Sequence, residues 1–197
     1  MTPAVRESLM NSRGVALARV AVVAAYAVVF VSLHTMGHGQ TRGTPVPPAL
    51  AKARVTEARA AAKAWRADAV LIQVASSQVS DGGVSTLWDY GFWSSSAKTC
   101  AVINVAPGRA PFTQESGGAI CEAPELKDFA LDSDQAYKIA RANGITAARV
   151  SMVVSMTPVK GVNRASWSVM DEGGVKPGNV MLDIDATTGV VLGKMKQ

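Results

Sequence analysis

Hydrophobic residues at every second position are the feature that most limits how this chain of 197 residues can fold. Such alternation is typical of β-strands with one buried face, because successive side chains of a strand lie on opposite faces. It predicts two groups of three strands, bounded by segments rich in glycine, serine and proline. The strands are expected near residues 70–74, 85–92, 100–105, 148–156, 165–170 and 179–185, and "VVLG" is expected to end the domain.

A helical pattern precedes each group of strands. Between residues 48 and 66, Val55, Ala58, Ala62 and Trp65 recur at three- and four-residue spacing, which predicts an amphipathic helix. The segment "DSDQAYKIARANG" at 132–144 begins with residues that cap helices and ends at a glycine, so it predicts a second helix.

The two groups of strands also align with each other. Placing Trp88 on Trp167 places 101–105 on 180–184 with the same alternation, which favours an internal duplication over a chance coincidence of common strand patterns. We therefore predict an α+β fold of two α-β-β-β units, each a helix packed on an antiparallel meander. The predicted units are 49–110 and 132–197, with an irregular connection at 111–131.

The N-terminal region carries an apolar segment. Residues 20–33 contain no charged side chain, and adding 15–19 and 34–36 gives a length close to the roughly 30 Å core of a bilayer. Arginines are concentrated before this segment, which predicts that the N-terminus stays in the cytoplasm and the rest is exported. A cleaved signal peptide is the alternative, and it exports the domain as well. The predicted parts are a cytoplasmic 1–14, a transmembrane or signal segment 15–36 and a linker 37–48.

Two cysteines agree with an exported domain. Cys100 and Cys121 are expected to form a disulfide in an oxidising compartment, and the alternative is a pair of buried thiols. The formal net charge is +5, but residues 51–197 hold sixteen basic and fourteen acidic side chains. This near balance, without a basic patch interleaved with aromatics, argues against nucleic-acid binding.

Two features are candidates for contact with a partner. Alternation places Trp88, Tyr90 and Phe92 on one face of their strand, and we expect them in the core. Trp93 lies on the opposite face near a turn, and we expect it to be exposed, either as an anchor for a partner or as a rim tryptophan without a role. The first helix also carries a basic stripe beside its apolar face, which could rest on anionic lipid headgroups or be an ordinary solvated face. The basic stripe consists of Lys52, Arg59, Lys63 and Arg66.

The segment "DIDATTG" at 183–189 invites comparison with a calcium loop. An EF-hand needs oxygen ligands at alternate positions, glycine at the sixth and a distant glutamate, whereas here the glycine is seventh and no acid follows. We interpret the segment as a strand that enters a turn, with Asp183 and Asp185 on the solvent face opposite Leu182 and Ile184. Asp185 is expected to cap the turn and Gly189 to adopt a positive φ.

Other patterns that could carry chemistry are weak. Ser95 and Lys98 match a Ser-x-x-Lys spacing, but they fall in an expected hairpin turn rather than at a helix start in a cleft. His34 and His38 have helical spacing but no third ligand. We therefore predict no catalytic, cofactor-binding or metal-binding residues, and no cofactor.

The C-terminal unit carries a set of short motifs. Trp167 lies in a strand, a glycine-containing hairpin follows, and the next strand ends in Asp185-Ala186 and Thr188-Gly189 before an apolar tail. This pattern resembles a PepSY-type domain over about 60 residues, and 49–110 resembles it only faintly. The resemblance implies an exported or membrane-tethered location and a role in binding or peptidase inhibition.

From these features we predict a membrane-anchored, non-catalytic binding module outside the cytoplasm. Its expected partners are the lipid bilayer and another envelope protein, which could be a peptidase that it restrains. The alternative is a structural subunit of an envelope complex, in which the transmembrane helix makes the main contact.

Overall fold

The structure is a computed structural model that describes residues 46–106, 109–117, 121–172 and 178–196. The chain divides into two compact units, Met1–Gly43 and Thr44–Gln197, and all described residues belong to the second.

The described residues of the second unit form two α-helices and eight strands. In chain order they are a 3-10 helix at Ala51–Arg54, α1 (Val55–Trp65), β1 (Val70–Val79), a 3-10 turn at Asp81–Gly83, β2 (Asp89–Ser94), β3 (Thr99–Asn104), β4 (Phe112–Gly117), α2 (Ser133–Ala142), β5 (Val150–Val159), β6 (Val162–Asp171), β7 (Val180–Asp185) and β8 (Val191–Lys196).

All eight strands form a single antiparallel sheet. Its order is β4-β3-β2-β1-β5-β6-β7-β8, so β1 and β5 lie side by side at the centre although more than 60 residues separate them in the chain. The central pairing joins Val74 to Val154 and Ser76 to Met152. The edges of the sheet are β4 and β8.

Both helices pack against the same face of this sheet. Ala58 and Ala62 of α1 belong to the same buried cluster as Ala136 and Ala140 of α2. At its centre the ring of Trp167 meets two other rings edge-on, with ring centroids 6.3 Å from Trp88 and 5.6 Å from Phe129. The prediction that Trp88, Tyr90 and Phe92 lie in the core is confirmed, since all three are buried.

The predicted division into two helix-on-meander units is wrong. One eight-stranded sheet and one main core span both predicted units, with only two short helices. The physical reason is that two separate meanders would leave long edges at β1 and β5, with unpaired backbone N–H and C=O groups. Pairing β1 with β5 satisfies those groups and joins the apolar faces into one core.

Two boundaries also differ from the expectation. Residues 112–117, expected to be irregular, form β4 at the edge of the sheet, where the polar sequence "FTQESG" shows little hydrophobic alternation. The first predicted helix starts as the 3-10 turn Ala51–Arg54 and becomes α-helical only from Val55.

Within the part of the chain that the structure describes, no helix has the length and apolar character needed to cross a bilayer. The segment 15–36, predicted to insert in the membrane or to be cleaved, lies outside the described residues.

Candidate binding groove

An open groove of about 450 Å³ lies where three separate segments of the chain meet. The segments are the connection that leads to α2, the β5–β6 hairpin and the turn between β7 and β8. The groove is lined by cationic and anionic side chains, by amide and hydroxyl groups, and by the apolar thioether of Met156. The lining residues are Glu125, Lys127, Asp128, Met156, Asn163, Arg164, Ala165, Asp185, Thr187 and Thr188.

The turn at Asp185 shapes one wall of the groove. Asp185 was expected on the solvent face but is buried, because the turn and Arg164 close over it. Its Oδ1 accepts the backbone N–H groups of Thr187 and Thr188 at 2.9 and 3.0 Å. The N–H of Gly189 donates to the Asp185 carbonyl at 2.9 Å, and Gly189 has a φ of +78°. Side chain and backbone of Asp185 therefore both hold the turn, and Gly189 supplies the left-handed conformation that it needs.

Arg164 reaches the same carboxylate from the hairpin. Its Nη1 lies 3.2 Å from the Asp185 Oδ2. Burial by itself raises the pKa of Asp185, but the N–H groups of Thr187 and Thr188 together with the Arg164 guanidinium lower it overall. Asp185 is thus a carboxylate at neutral pH, and it fixes Arg164 at the rim of the groove.

The opposite wall is held by α1 and the 3-10 turn before it. Arg59 donates from Nη2 to the carbonyl oxygens of Leu126 and Lys127, at 3.0 and 2.6 Å. Lys52 lies 3.7 Å from the Asp128 carboxylate and 5.0 Å from the centroid of the Phe129 ring. The N–H of Leu126 also donates to a carbonyl of β1, so the segment that bears the groove residues is tied at several points.

The basic stripe therefore acts within the chain. Besides Arg59 and Lys52, Lys63 donates to the Ala67 carbonyl at 3.0 Å, and Arg66 lies 3.7 Å from Glu115. These contacts join the helix face to neighbouring segments of the same chain. Contact of the stripe with lipid or with a partner stays a prediction.

Trp93 was expected to be exposed, and this prediction is wrong. Its side chain is only 5% exposed and packs in a small second cluster with Ile72, Cys100 and Cys121. The disulfide between Cys100 and Cys121 brings the chain back over this face of β2 and β3. The covering segment, more than 25 residues from Trp93 in sequence, explains why alternation alone misplaced it.

Asp183 also differs from the expectation of a solvated side chain. It lies on the face of β7 opposite Leu182 and Ile184, as alternation requires, but it is half-buried and accepts a hydrogen bond from Ser168 Oγ at 2.6 Å. Burial raises its pKa, and the Ser168 hydroxyl offsets part of this effect. Because Ser168 lies beside it on the next strand, Asp183 belongs to a polar surface of the sheet.

The Ser-x-x-Lys motif lies in the β2–β3 turn. Ser95 donates to an Asp68 carboxylate oxygen at 3.2 Å, and Lys98 has a φ of +52°. The same Asp68 oxygen accepts the N–H of Ser96, and its other oxygen accepts the hydroxyl of Ser94. The motif thus stabilises a turn.

The described metal-ligating side chains are dispersed over the fold. Among the residues that the structure describes, no three histidine, cysteine, aspartate or glutamate side chains are grouped to hold an ion. His34 and His38 lie outside the described residues.

Sequence reasoning identified Asp185 but missed its neighbours in the groove. Glu125, Lys127 and Asp128 lie in a stretch without periodicity, and Arg164 reads as an ordinary charge on a hairpin. The one local signal was the cluster of these three charged residues just before the second helix. Such a cluster does not by itself show which distant segment lies opposite it.

Comparisons with known proteins add little to this description. No family model and no curated protein matches the chain. Among solved structures, a "putative lipoprotein" from Clostridium difficile 630 is similar, with 13% identity and a TM-score of 0.49 over 80% of this chain and 97% of that chain. A similarity at this level supports no inference about fold or function. The resemblance to PepSY-type domains stays a prediction.

Proposed function

We propose that this chain is an exported, non-catalytic binding module, and that the groove at Asp185 and Arg164 is where it contacts another envelope protein. The observation that carries the proposal is the groove itself, an open site in which Arg59 of α1 holds one wall and the ion pair of Arg164 with Asp185 holds the other. A site that is ordered before binding loses less conformational entropy when a ligand arrives.

The lining chemistry suits a polypeptide. Lys127 and Arg164 offer cationic groups, Glu125 and Asp128 offer anionic ones, and Asn163 offers an amide that both donates and accepts. Met156 and Ala165 provide an apolar floor of the kind that lies under the polar rim of a protein interface. An open site with this mixture accepts side chains of a folded or extended partner.

Two independent features support export. The arginine bias before the apolar segment places the C-terminal domain outside the cytoplasm, and disulfides persist in oxidising compartments. We propose an uncleaved anchor over a cleaved signal peptide, because the residues after the apolar segment offer no Ala-x-Ala cleavage site. The N-terminal sequence of the mature protein distinguishes the two.

Site-specific crosslinking in living cells tests the groove. A photoreactive residue replaces Thr187, which is exposed in the groove, or Ser95, which is exposed in the β2–β3 turn outside it. We expect Thr187 to yield one defined adduct with an envelope protein and Ser95 to yield none. Equal adducts from both positions, or none from Thr187, contradict the proposed site.

Charge reversal is the second arm of the same experiment. Lys127→Glu changes an exposed lysine of the groove, and Lys98→Glu is a matched exposed lysine of the remote turn. We expect Lys127→Glu to reduce the Thr187 adduct and Lys98→Glu to leave it unchanged.

If adducts form only from photoreactive residues at positions 15–36, the chain is instead a structural subunit held by its membrane segment. If the partner is a peptidase, its hydrolysis rate falls when the purified chain is added.

A further inference from the structure

Three methionines from three neighbouring strands lie in direct register on one face of the sheet. Met170 of β6 pairs with Met181 of β7, and Met181 pairs with Met195 of β8. Directly opposite residues have Cβ atoms about 5 Å apart, well within the reach of a methionine side chain. The three thioethers therefore form a row that crosses β6, β7 and β8, and we call it the methionine row.

The methionine row lies on the face opposite the helices. The neighbours of Met170 and Met181 in their strands, Val169 and Leu182, belong to the main core, and side chains alternate between faces. Met170 and Met181 are only 7% and 5% exposed, yet neither belongs to the main core or to the cluster around Trp93. They are buried methionines outside both hydrophobic clusters.

Most side chains beside the methionine row are polar. Ser151 pairs with Met170 on its other side, and the next row on the same face contains Val153, Ser168, Asp183 and Gly193. Ser168 and Asp183 are hydrogen-bonded to each other, and Val153 is the aliphatic member of that row. Thioethers beside hydroxyls and a carboxylate suit a second role, because sulfur is a soft ligand as well as an apolar group.

We propose that Met170, Met181 and Met195 form a binding site for a soft monovalent metal ion, Cu(I) or Ag(I). Thioether sulfur prefers such ions over the harder Zn²⁺, Mg²⁺ and Ca²⁺. The side chains of three directly opposite residues can turn toward one ion beside Met181. Met195 is half-buried on an edge strand, which gives the ion a way in.

The charges nearby favour a cation. Asp183, two residues from Met181 on the same face, provides a carboxylate beside the row. Lys194 and Lys196 flank Met195 in sequence but lie on the other face of β8, where Lys194 Nζ donates to the Asn143 carbonyl at 2.7 Å. The lysines of β8 therefore do not oppose a metal ion at the methionine row.

Silver binding to the full chain tests the proposal without a reductant, so that the disulfide stays intact. His34 and His38 are changed to alanine in every sample, since imidazoles also bind Ag(I). Affinity is measured by competition with a chromophoric chelator. We expect one Ag(I) per chain, a higher melting temperature with Ag(I), and no competition by Zn²⁺.

Matched leucine variants locate the site, because leucine keeps the apolar volume of methionine. Met181→Leu and Met195→Leu should each weaken Ag(I) binding by roughly tenfold or more, since even changes outside the ligand shell cost about that much. Met152→Leu, in the main core on the helix face, should bind as the parent does. Met195 lies at the edge, so its variant keeps the test valid if Met181→Leu fails to fold. Absence of binding by the parent, equal binding by the row variants, or an equal loss in Met152→Leu overturns the proposal.

Discussion

Asp185 connects three parts of the chain through one carboxylate. Its two oxygens take two backbone N–H groups of the β7–β8 turn and the guanidinium of Arg164, and its backbone pairs across the same turn with Val190 and Gly189. The side chain is 5% exposed, so water cannot replace these contacts if the carboxylate is removed. Truncation of such a residue lowers the free energy of unfolding of the protein more than the surface-like sequence context of the residue indicates.

We expect Asp185→Ala to lower the free energy of unfolding by about 1–3 kcal/mol, because it leaves buried N–H donors without an acceptor. Asp185→Asn keeps an acceptor oxygen and should lose less. Gly189→Val should also destabilise, since φ is +78° and a Cβ there would lie 3.0 Å from Ile139 Cδ1. Urea denaturation measures all three, and an Asp185→Ala loss below about 0.5 kcal/mol, typical of surface sites, would contradict the capping role.

Asp183 should make stability depend on pH in the opposite sense to Asp185. Burial raises the pKa of Asp183 in the folded state, so its contribution is most favourable below the unfolded pKa of about 3.9 and is lost as pH rises through the folded pKa. The pKa of Asp185 is lowered, so its contribution is present above about 3.9 and is lost as pH falls through the folded pKa.

Asp183→Asn should therefore be more stable than the parent at pH 7, and the difference should shrink toward pH 3. The reason is that asparagine accepts the Ser168 hydroxyl without the cost of burying a charge. Urea denaturation at the two pH values measures the difference. A variant that is less stable than the parent at pH 7 would show that the charge itself is favourable there.

At the scale of elements, the connection from Cys121 to Leu131 binds the two halves of the sheet together. It is fixed to β3 by the disulfide, to β1 by the Leu126 N–H and to α1 by Arg59. It also inserts Leu126 and Phe129 into the main core, while its exposed side chains form a wall of the groove. This connection has little regular secondary structure, so its conformation depends on these attachments.

We expect the double variant Cys100→Ala/Cys121→Ala to lower the free energy of unfolding by about 2–4 kcal/mol. The disulfide closes a loop with a sequence separation of 21, and its loss frees that loop in the unfolded chain. Replacing both cysteines avoids a stray thiol, and chemical denaturation without reductant measures the change. Equal stability of the variant and the oxidised parent would show that the other attachments are sufficient.

At the scale of the whole molecule, the pairing of β1 with β5 makes one folding unit of residues 44–197. The sheet and the main core both extend across this central pair. If the strands of one half unfold, the core residues and the strand edge of the other half become exposed to solvent. The two helices share that core and do not define separate domains.

We therefore expect residues 44–197 to unfold in a single cooperative transition. Far-UV circular dichroism, near-UV circular dichroism and tryptophan fluorescence should give the same midpoint in urea, because Trp88 and Trp167 lie in the shared core. Val154→Pro, in the central pair, should lower the urea midpoint that every probe reports by the same amount. Two separated transitions would indicate that the halves fold independently.

Sequence alone determined the local features of this protein. Period-two alternation located six of the eight strands, capping residues located α2, and the spacing of Asp185 and Gly189 indicated their turn, because each depends on neighbours close in the chain. Only the tertiary structure decided the pairing of β1 with β5, the burial of Trp93 and the groove. Those depend on contacts such as Arg59 to Lys127, which are 68 residues apart. Periodicity reports which face of an element is buried, but it carries no information about which distant segment covers that face.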